Sequence, residues 1–242
     1  MTELWLKEAL EASGLAHPTS FPRDLESDTE DAFPEIVTPV VLKGLTSATV
    51  ASWFTQMCID IDYPVPTTPR RFRGCMVANK GRAFLFRDRN DKEDEQLFTL
   101  AHEVSHFVLD HMLPRARALK KYGPSFLPVL DALRPPTHAE QLALALDQFP
   151  IGIQMELMER DDSGFIQSGN VVQAERRADR LAFELLAPAD IAYPYIKSLD
   201  EERGPAQLAT LFGMPLQQAQ TYAQMLMRRE RLEASSVVQF RR

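Results

Sequence analysis

Residues 97–109, Leu-Phe-Thr-Leu-Ala-His-Glu-Val-Ser-His-Phe-Val-Leu, restrict what this chain can become more than any other stretch. The run is apolar enough to be buried as a helix, yet His102, Glu103 and His106 sit in its middle. A helix turns by about 100° per residue, so His106 falls one turn beyond His102 and about 40° round from it, with Glu103 about 60° further on. Burying three such groups without a partner carries a large desolvation cost. A divalent cation removes it: two neutral imidazoles at this spacing can share one tetrahedral zinc ion and leave room for a third ligand and a water. Glu103 is then free to accept a proton from that water, whose pKa zinc lowers to about 7, and pass it to a leaving group. Zinc is the expected metal and manganese the alternative.

Flanking residues suggest where this helix begins and ends. Asn90 with Glu93 forms a capping box, Asp91, Asp94 and Glu95 complement the positive end of the helix dipole, and Pro114 is expected to stop the far end. Upstream, residues 74–78 and 82–86 flank Asn79-Lys80-Gly81 and predict a β-hairpin, whose edge could bind an extended peptide.

The second site-bearing segment is predicted as a helix ending before Pro188, with an apolar face of Ala174, Ala178, Leu181, Ala182 and Leu185. Glu175 and Asp179 lie on or beside that face, four residues apart. Two like charges at that spacing are unfavourable unless a cation holds them. Glu175 is therefore the expected third metal ligand, and Asp179 the acceptor for the outer N–H of His102.

These two segments together, the His102-Glu103-x-x-His106 helix and Glu175-Arg176-Arg177-Ala178-Asp179-Arg180-Leu181-Ala182 through Pro188, resemble the ImmA/IrrE family of zinc metallopeptidases, and Glu-x-x-x-Asp is also the arrangement of the wider gluzincins. The resemblance spans residues 74–188. It implies a cytoplasmic bacterial or phage endopeptidase that cleaves a helix-turn-helix repressor and so releases stress-response or mobile-element genes. The separation of His106 from Glu175 is longer than in compact members, which keeps Glu140, Glu156 and Glu159 as further candidates for the third ligand. The fold expected is α+β: a zincin-like metallopeptidase domain with mainly helical surroundings and a C-terminal helix-turn-helix-like module. Its divisions are residues 1–70, an N-terminal mostly helical segment, 71–195, the peptidase domain, and 196–242, the C-terminal module.

Elsewhere the signals are structural. Residues 14–70 are proline-rich and contain one clear helix, capped at Thr46 or Ser47, with Val50, Trp53, Phe54 and Met57 as a core stripe. Thr137 with Glu140 caps another. Alternation over residues 151–157, a turn at 161–164 and a strand at 165–167 predict a second hairpin. Cys58 and Cys75 match no metal or redox spacing and are expected to be buried thiols of a reducing compartment. No apolar run is long enough for a membrane span, and a net charge of −7 argues against a generally basic nucleic-acid binder. Residues 206–223 predict helix, turn at Gly213, helix. With six basic residues against four acidic ones over 201–242, that module is expected to pack on the peptidase or hold a partner in preference to binding DNA directly. Tyr193 heads the candidates for an oxyanion donor, with Tyr195, Tyr122 and His138 behind it. The competing reading is a DNA- or partner-binding regulator with a structural or vestigial zinc site, which would leave Glu103 without a chemical role.

Overall fold

A computed structural model of the chain describes residues 3–33, 36–60, 71–159, 169–200 and 202–239. Helices α1 (Leu4–Ser13) and α2 (Leu25–Ala32) lead into β1 (Val37–Leu42), α3 (Ser47–Gln56), β2 (Phe72–Asn79) and β3 (Arg82–Asp88). The central helix α4 (Glu93–His106) continues through a π turn (Phe107–Met112) into α5 (Leu113–Tyr122). After α6 (Leu127–Leu130) and α7 (His138–Asp147) come β4 (Gln154–Glu159), α8 (Gly169–Leu186), α9 (Ala189–Ile196), α10 (Arg203–Phe212) and α11 (Leu216–Gln239). The architecture is a mixed α+β fold, and no helix among the described residues is long and apolar enough to cross a membrane.

The sheet runs β1-β3-β2-β4, with β1 parallel to β3 and the other pairs antiparallel. Lys80 and Gly81 turn the β2–β3 hairpin with φ of 53° and 79°, the primed geometry whose twist matches paired strands. Strand periodicity then sorts side chains to two faces. Met76, Ala78, Ala83 and Leu85 pack against α4, whereas Cys75, Val77 and Phe86 pack against Val50 and Phe54 of α3. α8 lies against α4, where its alanines permit close approach and Phe98 meets Phe183 at 5.5 Å between ring centres.

Several expectations change here. The predicted hairpin has no free edge, since β2 lies between β3 and β4 and β3 between β1 and β2; the outermost described strand on that side is β4. Within residues 1–70, β1 pairs with β3 and α3 packs on the same sheet, so these elements share an assembly with β2 and β3. Pro114 does not end the helix. The Leu113 N–H bonds to the Val108 carbonyl, a π-type step that absorbs the proline, and the helix runs on to Gly123. At its start, Glu95 accepts the Lys92 N–H, while the Asn90 N–H donates to Asp88 in the preceding turn. Cys58 is exposed rather than buried. In the second predicted hairpin, β4 supplies the first strand, and residues 161–167 lie outside the described residues.

The C-terminal helices share the central core. Leu208, Phe212, Met214 and Tyr222 belong to the cluster that contains Val104 and Leu181. The Tyr222 ring stacks on Phe183 at 4.8 Å, and its hydroxyl donates to the Ala187 carbonyl at 2.7 Å. Gly213, at φ 66°, turns the chain so close to Pro22 that an added Cβ would stand 2.9 Å from the proline Cβ. A Phe212→Ala substitution is therefore expected to destabilise the whole chain by about 3–5 kcal/mol in one cooperative urea transition. Two separate transitions, with only one of them shifted, would show an independent C-terminal unit.

Candidate metal centre

His102 and His106 are buried on α4, and Glu175 reaches them from α8. His102 Nε2 and His106 Nε2 are 3.0 Å apart, and the Glu175 oxygens lie 3.3 Å from the first and 3.5 Å from the second. Two ligands bound at about 2.0–2.1 Å to one tetrahedral ion would be separated by about 3.3 Å, so the three edges have the size that zinc requires.

The outer hydrogen bonds explain why these atoms need a cation. Asp179 accepts from His102 Nδ1 at 2.9 Å, and Asp110 accepts from His106 Nδ1 at 2.7 Å. Each carboxylate holds the proton on Nδ1 and leaves the Nε2 lone pair of a neutral ring pointing inward. Two lone pairs and a carboxylate then converge, an arrangement unstable without positive charge between them. Without a metal, protons take that role. Burial opposes charge on both rings, but Asp179 and Glu175 raise His102 to about 9, and Asp110 and Glu175 raise His106 to about 11. Burial likewise works against the Glu175 carboxylate, but its hydrogen bonds to His102 and His106 prevail and hold it at about 2. Among the described residues no fourth metal-binding side chain joins the group, which leaves a coordination position free.

Glu103 is 1% exposed, and among the described residues neither of its carboxylate oxygens has a hydrogen-bond partner. Burial, opposed by His102 and His106, raises it to about 7. Its space is provided by β2. A β-bulge between Phe72 and Gly74 brings the backbone of Gly74 against the carboxylate, and a Cβ there would lie 2.3 Å from Glu103 Oε1. No family model and no curated protein matches this chain.

The other candidate residues fall elsewhere. Tyr193 lines a cavity of about 530 Å³ with His17, Arg23, Glu184 and Leu226, and neither Glu103 nor any of the three ligands lines it. The Tyr122 hydroxyl donates to Asp147. Glu140 is held by Arg134 at 2.6 Å and caps α7 through Thr137, which occupies it away from the metal group. Glu156 stands near the centre without joining the ligand group, and the side chain of Glu159 lies outside the described residues. His111 is buried: its Nε2 accepts the Gly81 N–H at 3.1 Å and its Nδ1 faces Gln154, so it ties the hairpin turn to the π turn and β4. Arg180 pairs with Glu184 at 2.6 Å and Arg177 lies over Trp5, so these two arginines have other partners than Glu175 and Asp179.

Sequence reasoning passed over Asp110, although an acid four residues after His106 on the same helix face was a usable signal. Replacing it with asparagine is expected to weaken zinc binding roughly 10- to 100-fold, as measured by chelator competition, because the His106 tautomer is no longer enforced. Unchanged affinity would show that His106 is oriented by packing alone.

Proposed function

We propose that the chain is a zinc-dependent endopeptidase that cleaves a helix-turn-helix repressor, the activity implied by its resemblance to the ImmA/IrrE peptidases. The observation that carries this reading is the buried carboxylate of Glu103, with no hydrogen-bond partner among the described residues, beside three side chains able to hold a metal. A structural zinc site closes with four protein ligands and has no use for such a base. When bound, zinc would polarise a peptide carbonyl and acidify a water at the free position.

The chain's own residues do the rest. His102, His106 and Glu175 would hold the ion, while Asp179 and Asp110 keep both imidazoles in the ligating tautomer. Glu103 accepts the proton released by the attacking water and returns it to the leaving amine nitrogen. An extended substrate segment would add along β4, the described edge strand next to β2, by main-chain hydrogen bonds. The C-terminal helices share the peptidase core, which favours a supporting or substrate-holding role over that of a detached DNA-binding unit.

Profiling new protein N-termini in cells carrying the wild-type chain or the Glu103→Gln variant tests this function. The expected result is a new N-terminus inside a helix-turn-helix repressor with the wild type only. Identical sets of N-termini in the two strains would overturn it.

A further inference from the structure

Five carboxylates gather at this centre, and the chemistry accounts for four of them. Glu175 is a ligand, Asp179 and Asp110 hold the histidines, and Glu103 is the base. Glu156 is the fifth. It lies on β4 directly opposite Met76 of β2, which places it on the sheet face that packs against α4. Its chain neighbours Met155 and Leu157 turn to the other face and pack with the Val50–Phe54 cluster. On the α4 face of β4, Glu156 follows Gln154 and precedes Met158, so it is the one charge between two uncharged neighbours on that face of the strand.

Glu156 is half-buried and interacts electrostatically with His106, Asp110, Glu175 and His102. Among the described residues no hydrogen bond or ion pair holds it. It is not a metal ligand, since the group whose ligand atoms lie within 4.8 Å of one another is His102, His106 and Glu175. The base position is already filled by Glu103. Five carboxylates exceed the charge of one divalent ion, and Glu156, on the strand read above as receiving the substrate, is the one among them with no role assigned so far. A half-buried carboxylate with no ion-pair partner among the described residues is completed by a cation brought in with a ligand.

We propose that Glu156 is a specificity-determining residue that accepts a cationic group of the substrate, a lysine or arginine side chain or a free α-ammonium, next to the scissile bond. The inference rests on the peptidase reading above. It predicts that peptides with a cation at this position are favoured and that those with a carboxylate there are repelled.

Amino-acid hydroxamates test it through binding, because the hydroxamate seeks the metal and the side chain probes its surroundings. The hydroxamates of lysine, arginine, norleucine and glutamate, each with a free and an acetylated amine, would be titrated calorimetrically into the zinc-loaded protein. A cationic ligand is expected to bind roughly 10- to 100-fold more tightly than its neutral counterpart, the range for a charge-assisted contact. If the side chain is the recognised group, acetyl-lysine hydroxamate keeps the advantage over acetyl-norleucine hydroxamate; if the α-ammonium is, acetylation removes it. Glu156→Gln should bring the ratio within about twofold with one zinc still bound per chain, and Glu156→Lys should reverse the order in favour of glutamate. Equal binding of the lysine and norleucine hydroxamates in both amine forms, or a preference that survives both substitutions, would overturn the inference and leave the peptidase reading standing. Failure of every hydroxamate to bind the zinc-loaded protein would overturn both.

Discussion

Replacing Glu175 with alanine is expected to lower zinc affinity by roughly 10²–10³-fold. Structural zinc sites bind with about 10–16 kcal/mol shared among four ligands, so one ligand contributes about 3–4 kcal/mol. The distances place Glu175 as the third member of the possible metal-binding group: its oxygens lie 3.3 and 3.5 Å from the two histidines. Glu140→Ala is the matched control, because that carboxylate is engaged by Arg134 and Thr137 and should leave zinc affinity unchanged. Chelator competition measures both. Thermal melting gives an independent measure, since zinc at about 1,000 times its wild-type Kd stabilises the wild type by about 4 kcal/mol and should stabilise Glu175→Ala by only about 0.4–1.4 kcal/mol at the same concentration. The pH dependence has a definite sign. In the metal-free protein the raised histidines retain their protons through neutrality, a stabilisation fully present below pH about 6.5 and lost as pH rises through about 9 and then about 11. Zinc has to displace those protons, so its apparent affinity should rise with pH across the neutral range. An affinity independent of pH would mean that the two rings are already unprotonated at Nε2 before metal arrives.

The parts of this centre that were legible in the sequence are those set by helical spacing. His102, Glu103 and His106 follow from one turn of α4, Glu175 and Asp179 from one turn of α8, and the caps at Thr46 and Thr137 from local side-chain chemistry. Features that depend on distant pairing were not legible. Pro39 argues against a strand, yet β1 tolerates it at the sheet border and pairs in parallel with β3, a contact that no local pattern reports. The period-two alternation of residues 151–157 was visible, but which side of β4 fronts the metal is decided by its register with β2. Gly74 shows no special signal in the chain, and its role appears only when the bulge brings it against Glu103. The π turn before Pro114 is a tertiary accommodation as well, as packing of Phe107 and Val108 in the core holds together a helix that local propensity would break.

Glu103→Gln is expected to reduce kcat/KM by about 10²–10⁴-fold with zinc content unchanged. The amide fills the same space against Gly74 and cannot take up a proton, so this substitution separates proton transfer from metal binding. Burial raises the carboxylate to about 7, opposed by the two histidines, and a divalent ion beside it adds further downward pull. The base works only when ionised, so wild-type activity should rise with pH along an acid limb lying below 7, and the residual activity of Glu103→Gln should lack that limb. Gly74→Ala probes the same group from the other side. It keeps the carboxylate but places a methyl 2.3 Å from Oε1 and 2.5 Å from Thr99 Cγ2, which forces the base out of position. That variant is expected to bind zinc and lose most of its turnover, because a base displaced by about 1 Å can lose about 10²-fold. If Glu103→Gln hydrolysed its substrate at the wild-type rate, the buried carboxylate would be a structural element and the competing regulator reading would take precedence. If Gly74→Ala alone retained full activity, the bulge would be yielding to the methyl group, and Glu103 would reach its working position by a route other than the close contact with β2.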